Sequence, residues 1–190
     1  MKKKGFIIII SGPSGVGKGT IIREVLKHKP ELKVSISACT REPRSYEEDG
    51  VHYHFLPQDV FFEKVKKHEF IEWCEVHSSM YGTLHSEVDA MVNAGQDVIL
   101  EIDTQGARKI MSEFSRVISI FITPPTFEDL IKRLHNRNTE KKEVIEHRLS
   151  MAGKELAAIG EYDFIVVNNE VDQTVNDILT MIDQAKEEFS

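Results

Sequence analysis

The sequence predicts an α/β fold, a parallel sheet layered between helices, and three observations predict it. An apolar run, "FIIII" (6–10), feeds directly into a glycine-rich turn and then a helical pattern. From residue 84 onward, short apolar runs alternate with stretches of helical spacing. Between these two regions, a polar, turn-rich segment at 38–83 breaks the alternation. Strand–helix alternation packs as a parallel sheet with helices on both faces, so the interrupting segment reads as a small inserted subdomain.

Taken in order, residues 6–10 form a short strand buried on both faces, because the run is apolar without alternation. Ile21, Ile22, Val25 and Leu26 give helical spacing that ends before Pro30. "VSIS" (34–37) reads as a strand. "TREPRSYEEDGVHYHF" is punctuated by Pro43 and Gly50, and alternation returns at Val51–Phe55. A helix follows at about 58–68, then the strand "FIEWCEV" and a loop, "HSSMYGT" (77–83). A helix to Asn93 precedes the strand "DVILEI"; a helix after Gly106 precedes "VISIFI" (117–122). Helices are expected at about 126–137 and 140–158, then the strand "FIVV" (164–167) and a closing helix from about 171.

Composition narrows the function classes. At 190 residues, 41% hydrophobic and 29% charged, the chain fits one globular domain with a real core. A net charge of -7 argues against a general nucleic-acid binder, which would show a basic face. Cys39 and Cys74 have no CxxC spacing and suit a reducing compartment. The lysines before "FIIII" mimic a secretory leader, but the apolar run is too short for one, and no run approaches a membrane span. The expectation is a cytoplasmic protein with no membrane or nucleic-acid partner; whether it is a monomer or a homo-oligomer is left open.

"SGPSGVGKGT" (Ser11–Thr20) has the spacing of a phosphate-binding loop, and it sits where that motif must sit, after a strand and opening a helix. Successive backbone N–H groups of 12–19 and the positive end of the helix would hold phosphate oxygens, with Lys18 reaching the transferable group. The bland alternative is a glycine-rich turn. Gly19 stands where Ser or Thr usually helps hold magnesium, which moves the metal onto phosphates, water and a carboxylate elsewhere. Glu101 and Asp103 end a strand two residues apart and would share its face. Either could hold Mg2+ through water, and Thr20 offers a hydroxyl one position after Gly19. Of eight arginines, five (Arg41, Arg44, Arg133, Arg137, Arg148) fall in two segments. By spacing alone these segments read equally as surface turns or charged helices, and Glu72 reads as an exposed strand carboxylate beside Trp73. His52 and His54 alternate around Tyr53, without a third ligand placed by spacing.

"SGPSGVGKGT", "SISACTREPRSYEEDGVHYHF", "EFIEWCEVHSSMYGT" and "EIDTQGA" together resemble the guanylate kinases, P-loop nucleoside monophosphate kinases, along nearly the whole chain. The resemblance implies a three-layer P-loop sandwich over 4–186: a core (4–37, 84–134, 151–186), a GMP-binding α+β insertion (38–83) and a helical lid (135–150). It implies transfer of the γ-phosphoryl group of ATP to GMP, and to dGMP, with Mg2+. The alternatives are a non-catalytic interaction module of the same fold, or a kinase for another monophosphate.

By the resemblance, ATP meets Ser11, Gly12, Pro13, Ser14, Gly15, Val16, Gly17, Lys18, Gly19, Thr20, Arg133, Arg137 and Asn168. GMP meets Ser37, Arg41, Arg44, Tyr53, Glu72, Tyr81, Thr83 and Asp103. Lys18, Arg41, Arg133, Arg137 and Arg148 carry the catalysis. The chemistry is coherent with that carry-over. Two arginines and two phenols can converge on one phosphate, and a carboxylate accepts from the two neighbouring donors of guanine. Because water must be excluded during transfer, segments 38–84 and 135–150 are expected to move on binding.

Overall fold

The computed structural model describes residues 3–76, 78–135 and 142–189. It is a mixed α/β fold with a central parallel sheet of five strands. In chain order the strands are β1 (Ile7–Ser11), β2 (Lys33–Val34), β3 (Ala38–Cys39), β4 (His54–Phe55), β5 (Phe70–Val76), β6 (Ser79–Leu84), β7 (Val98–Glu101), β8 (Val117–Thr123) and β9 (Phe164–Val167). The helices are α1 (Lys18–His28), α2 (Gln58–Lys66), α3 (His85–Asn93), α4 (Thr104–Glu113), α5 (Phe127–His135), α6 (Lys142–Leu156) and α7 (Val171–Glu188).

The five-stranded sheet runs β2-β7-β1-β8-β9, which puts the isoleucine-rich β1 in the middle. That position explains its composition: every residue of β1 is buried, so no alternation is selected. A second sheet, β4-β3-β6-β5, forms within the inserted region.

The chain divides into two compact units, one of Met1–Ile7, Leu32–Leu100 and Gln105–Val117, the other of Ile8–Glu31, Glu101–Thr104 and Ile118–Ser190. In the first, Ala38, Phe61, Phe70, Met80 and Leu84 form a core, with the Phe61 and Phe70 rings stacked at 4.3 Å. In the second, α7 buries Thr174, Val175, Ile178, Ile182 and Ala185, one stripe at helical spacing. Lys29 pairs with Asp183 and ties the end of α1 to α7.

Three expectations need correction. Within the expected loop "HSSMYGT", residues 79–83 are strand: Ser79–Leu84 is β6, paired antiparallel with β5 in the register Glu72↔Thr83, Trp73↔Gly82, Cys74↔Tyr81. Its Ser and Gly content hid a strand that pairing creates. Of the expected strand 34–37 only Val34 lies in a strand, as the end of β2 in the larger sheet; β3, in the smaller, begins at Ala38. Between them, the Ser35 N–H donates to the Ile99 carbonyl, and the Ser37 carbonyl accepts from His54. Finally, β7 stops at Glu101, so Asp103 lies in the connection to α4 rather than on the same strand face.

Candidate active site

In the second unit, β1 empties into the glycine loop and α1 opens at Lys18. Gly17 is the N-cap, with φ +102°, and a Cβ there would lie 2.9 Å from the Asn168 amide nitrogen. Only glycine meets both demands. Among the described residues no side chain caps α1, and its first turn holds no acidic residue, so its positive end suits an anion. The loop borders a cleft of about 350 Å³ lined by Ser14, Gly15, residues 17–20, Arg23 and Glu101.

Several side chains hold the loop itself. Lys18 donates to the Gly12 carbonyl at 2.7 Å and to Pro13 at 3.4 Å, curling over the residues it is expected to serve. Asn168, buried, donates to the Val16 carbonyl at 2.7 Å, and Arg133 donates to the Val16 and Asn168 carbonyls at 3.3 and 2.8 Å. Arg133 and Asn168 are thus brought to the loop together. Ser11 is fully buried and donates to the Ile102 carbonyl, so its hydroxyl secures the strand end. Arg137 lies outside the described residues, as does the whole link from α5 to α6; Arg148 is placed only as a position on α6.

Glu101 and Thr20 fit a hydrated magnesium ion. The exposed Glu101 and the Thr20 hydroxyl share the cleft, and Glu101 Oε2 lies 3.9 Å from where a Gly19 Cβ would be. These are hard oxygen donors beside the phosphate loop, as Mg2+ requires. Among the described residues no group of three or more His, Cys, Asp or Glu gathers into a cage. Mg2+ commonly takes one or two carboxylates and completes its shell with phosphates and water.

Glu155 of α6, which sequence reasoning missed, accepts the Ser14 N–H at 3.3 Å. Burial pushes its carboxyl above the usual range, with Asp103 adding to the effect, while Lys18 and the Ser14 N–H oppose it.

In the first unit, Glu72 is buried at 6% exposure, and its Oε1 accepts the Thr83 hydroxyl at 2.6 Å. That removes the reading of Glu72 as an exposed strand carboxylate. A Cβ on Gly106 would approach Glu72 Oε2 to 2.8 Å, so a glycine is needed for the carboxylate to sit there. Gly106, expected ahead of the helix, lies within α4. Within the same unit, Arg41 Nε donates to the Tyr81 hydroxyl at 3.1 Å, and its guanidinium lies 5.0 Å from the Tyr53 ring centroid. The two tyrosine rings meet edge to face at 5.9 Å. Three of the four expected phosphate ligands therefore converge. Arg44 is exposed and donates to the Tyr46 hydroxyl at 2.9 Å. His52 accepts the Glu48 N–H, while His54 pairs with Glu87 at 3.1 Å, so the two histidines do separate work.

A family model described as "Guanylate kinase" matches residues 4–185. The chain belongs to the guanylate kinase family. It is 44% identical to a guanylate kinase of Prochlorococcus marinus over 182 residues, covering 96% of this chain and 99% of that protein. It is 42% identical to one from Desulfitobacterium hafniense, covering 94% of this chain and 89% of the relative. The crystal structure of guanylate kinase from Anaplasma phagocytophilum superposes with a TM-score of 0.79 at 30% identity, covering 98% of this chain and 87% of that one. The guanylate kinase match spans the glycine loop, the Arg41–Tyr81 cluster and the Glu72–Thr83 pair alike. Among the described residues no helix is long and apolar enough to cross a membrane.

Proposed function

We propose that this guanylate kinase transfers the γ-phosphoryl group of ATP to GMP, giving ADP and GDP, with dGMP as a second acceptor. The observation that carries the assignment to guanine is the buried Glu72 carboxylate held by Thr83. Guanine presents its N1–H and 2-amino group side by side, and one carboxylate accepts from both; adenine would leave it unpaired. Arg41, Arg44, Tyr53 and Tyr81 hold the GMP phosphate, and Ser37 and Asp103 complete that substrate's contacts. The glycine loop, Arg133, Arg137 and Asn168 hold ATP.

A phosphate monoester is already anionic near neutral pH, with its second pKa at about 6. No general base is then required, and catalysis rests on in-line positioning and on neutralising charge. Lys18 and Arg133, with Arg137 and Arg148, supply cations to the moving phosphoryl group, and Arg41 orients the acceptor. Glu101, Asp103 and Thr20 are the residues that would hold Mg2+ through water. When bound, the ion neutralises the developing phosphate charge.

The segments divide the work as core (4–37, 84–134, 151–186), GMP-binding insertion (38–83) and lid (135–150). Excluding water requires 38–84 and 135–150 to move toward the core when both nucleotides bind. Solution scattering should register the change, and superimposable curves with and without nucleotides would count against it. Among the described residues Cys39 and Cys74 form no disulfide, which suits the cytoplasm. The reading is tested by ADP release from ATP with GMP, dGMP, AMP, CMP or UMP as acceptor. Turnover with none of them would return the chain to the rival reading of an interaction module.

A further inference from the structure

Glu47, in the inserted segment, accepts three hydrogen bonds. It lies six residues after Arg41, in a turn closed by the Glu47 N–H donating to the Arg44 carbonyl at 2.9 Å. Its side chain is only 5% exposed, although the neighbouring Tyr46 is 67% exposed. Oε2 accepts from Arg41 Nη1 at 2.5 Å and from the Arg44 backbone N–H at 2.8 Å; Oε1 accepts from Arg41 Nη2 at 2.6 Å. Arg41 Nη1 also donates to the Glu42 carbonyl at 2.9 Å, and Nε to Tyr81.

A guanidinium has five N–H donors. Four of those on Arg41 are committed, and the fifth, the second N–H on Nη2, has no partner among the described residues. A carboxylate is costly to bury, and a buried ion pair is weak evidence for stability. What the pair does secure is orientation. An unrestrained arginine loses rotamer freedom when it captures a ligand, and a guanidinium fixed beforehand has already lost it.

We infer that Glu47 is a positioning residue for the acceptor phosphate: it fixes Arg41 against Tyr81 and closes the 41–47 turn, leaving one Nη2 N–H and the Arg44 side chain for GMP. The inference rests on the proposed function. It assigns Arg41 a directional contact rather than a two-pronged grip, since the Nη1/Nη2 fork is occupied by Glu47.

The test compares wild type with Glu47→Gln, which is isosteric and keeps an acceptor for the Arg44 N–H, and with Glu47→Asp, which keeps the charge but is too short to span both partners. The readouts are KM for GMP, KM for ATP, and inhibition by guanosine, which has the base but no phosphate. The expected result is a rise in KM for GMP on the order of tenfold in both variants, with KM for ATP and guanosine inhibition within about twofold of wild type. A lower KM for GMP would overturn the inference by showing that Glu47 competes with substrate. An unchanged KM would overturn it too, as would guanosine inhibition weakened in parallel, which would mark a collapsed site. Wild-type turnover of GMP separates these outcomes from failure of the functional reading itself.

Discussion

Glu72→Gln tests the guanine assignment residue by residue. The side chain is buried, and Oε1 is committed to the Thr83 hydroxyl at 2.6 Å. A glutamine that keeps this bond must turn its amide NH2 toward the second position, where guanine also presents donors. One charge-assisted hydrogen bond is lost, worth about 1.5–3 kcal/mol, and one buried donor is left facing another, at about 1–3 kcal/mol. Local relaxation places the total near the low end of that sum, about 3 kcal/mol, or roughly 10²-fold in kcat/KM for GMP. The assay is coupled ADP release with GMP and AMP, alongside a thermal melt to show that the variant is folded. The GMP/AMP ratio should fall by a similar factor, because the amide no longer penalises adenine as the carboxylate does. A folded variant that loses less than about threefold on GMP would refute the reasoning.

Lys18→Met removes the ammonium over the glycine loop and should lower turnover roughly 10²–10³-fold. GMP binding should persist, monitored by the fluorescence of Trp73, the only tryptophan and next to Glu72 in sequence; loss of GMP binding as well would contradict the separation of donor and acceptor sites. The acid limb of stability should depend on Glu47. Its carboxyl is lowered to about 2, chiefly by the Arg41 hydrogen bonds, with the Arg44 N–H helping. A carboxylate with a depressed folded pKa contributes stability above its unfolded value and loses it as pH falls toward the folded one. The Tm advantage of wild type over Glu47→Gln should therefore hold at neutral pH and shrink between about pH 4.5 and 2. An advantage that does not change across that range would rule out the ion pair as its source.

Much of this was legible because the signals are local. Four isoleucines followed by "SGPSGVGKGT" specify a central strand, a tight loop and a helix start without reference to the rest of the chain. The stripe on α7 is likewise written in its own spacing. What the sequence concealed depends on partners outside each segment. β6 is a strand because β5 lies beside it, and Ser79 and Gly82 carry no strand signal of their own. Residues 34–39 serve two sheets, a division no local pattern encodes. Lys18, Arg133 and Asn168 were expected as nucleotide contacts; the structure adds that they also hold the loop carbonyls of Gly12 and Val16. Glu47 and Glu155 were two acidic residues among thirty-one, and only their distances to Arg41 and Ser14 distinguish them.

The central claim, a phosphotransferase that selects guanine, is tested most directly by acceptor choice in the wild-type chain. ADP release from ATP and magnesium is measured with GMP, dGMP, AMP, CMP and UMP at equal concentration, and the nucleotide products are identified. Selection of guanine predicts rapid formation of GDP and dGDP, with the other three at background. Comparable turnover of AMP, or none with any acceptor, would contradict it.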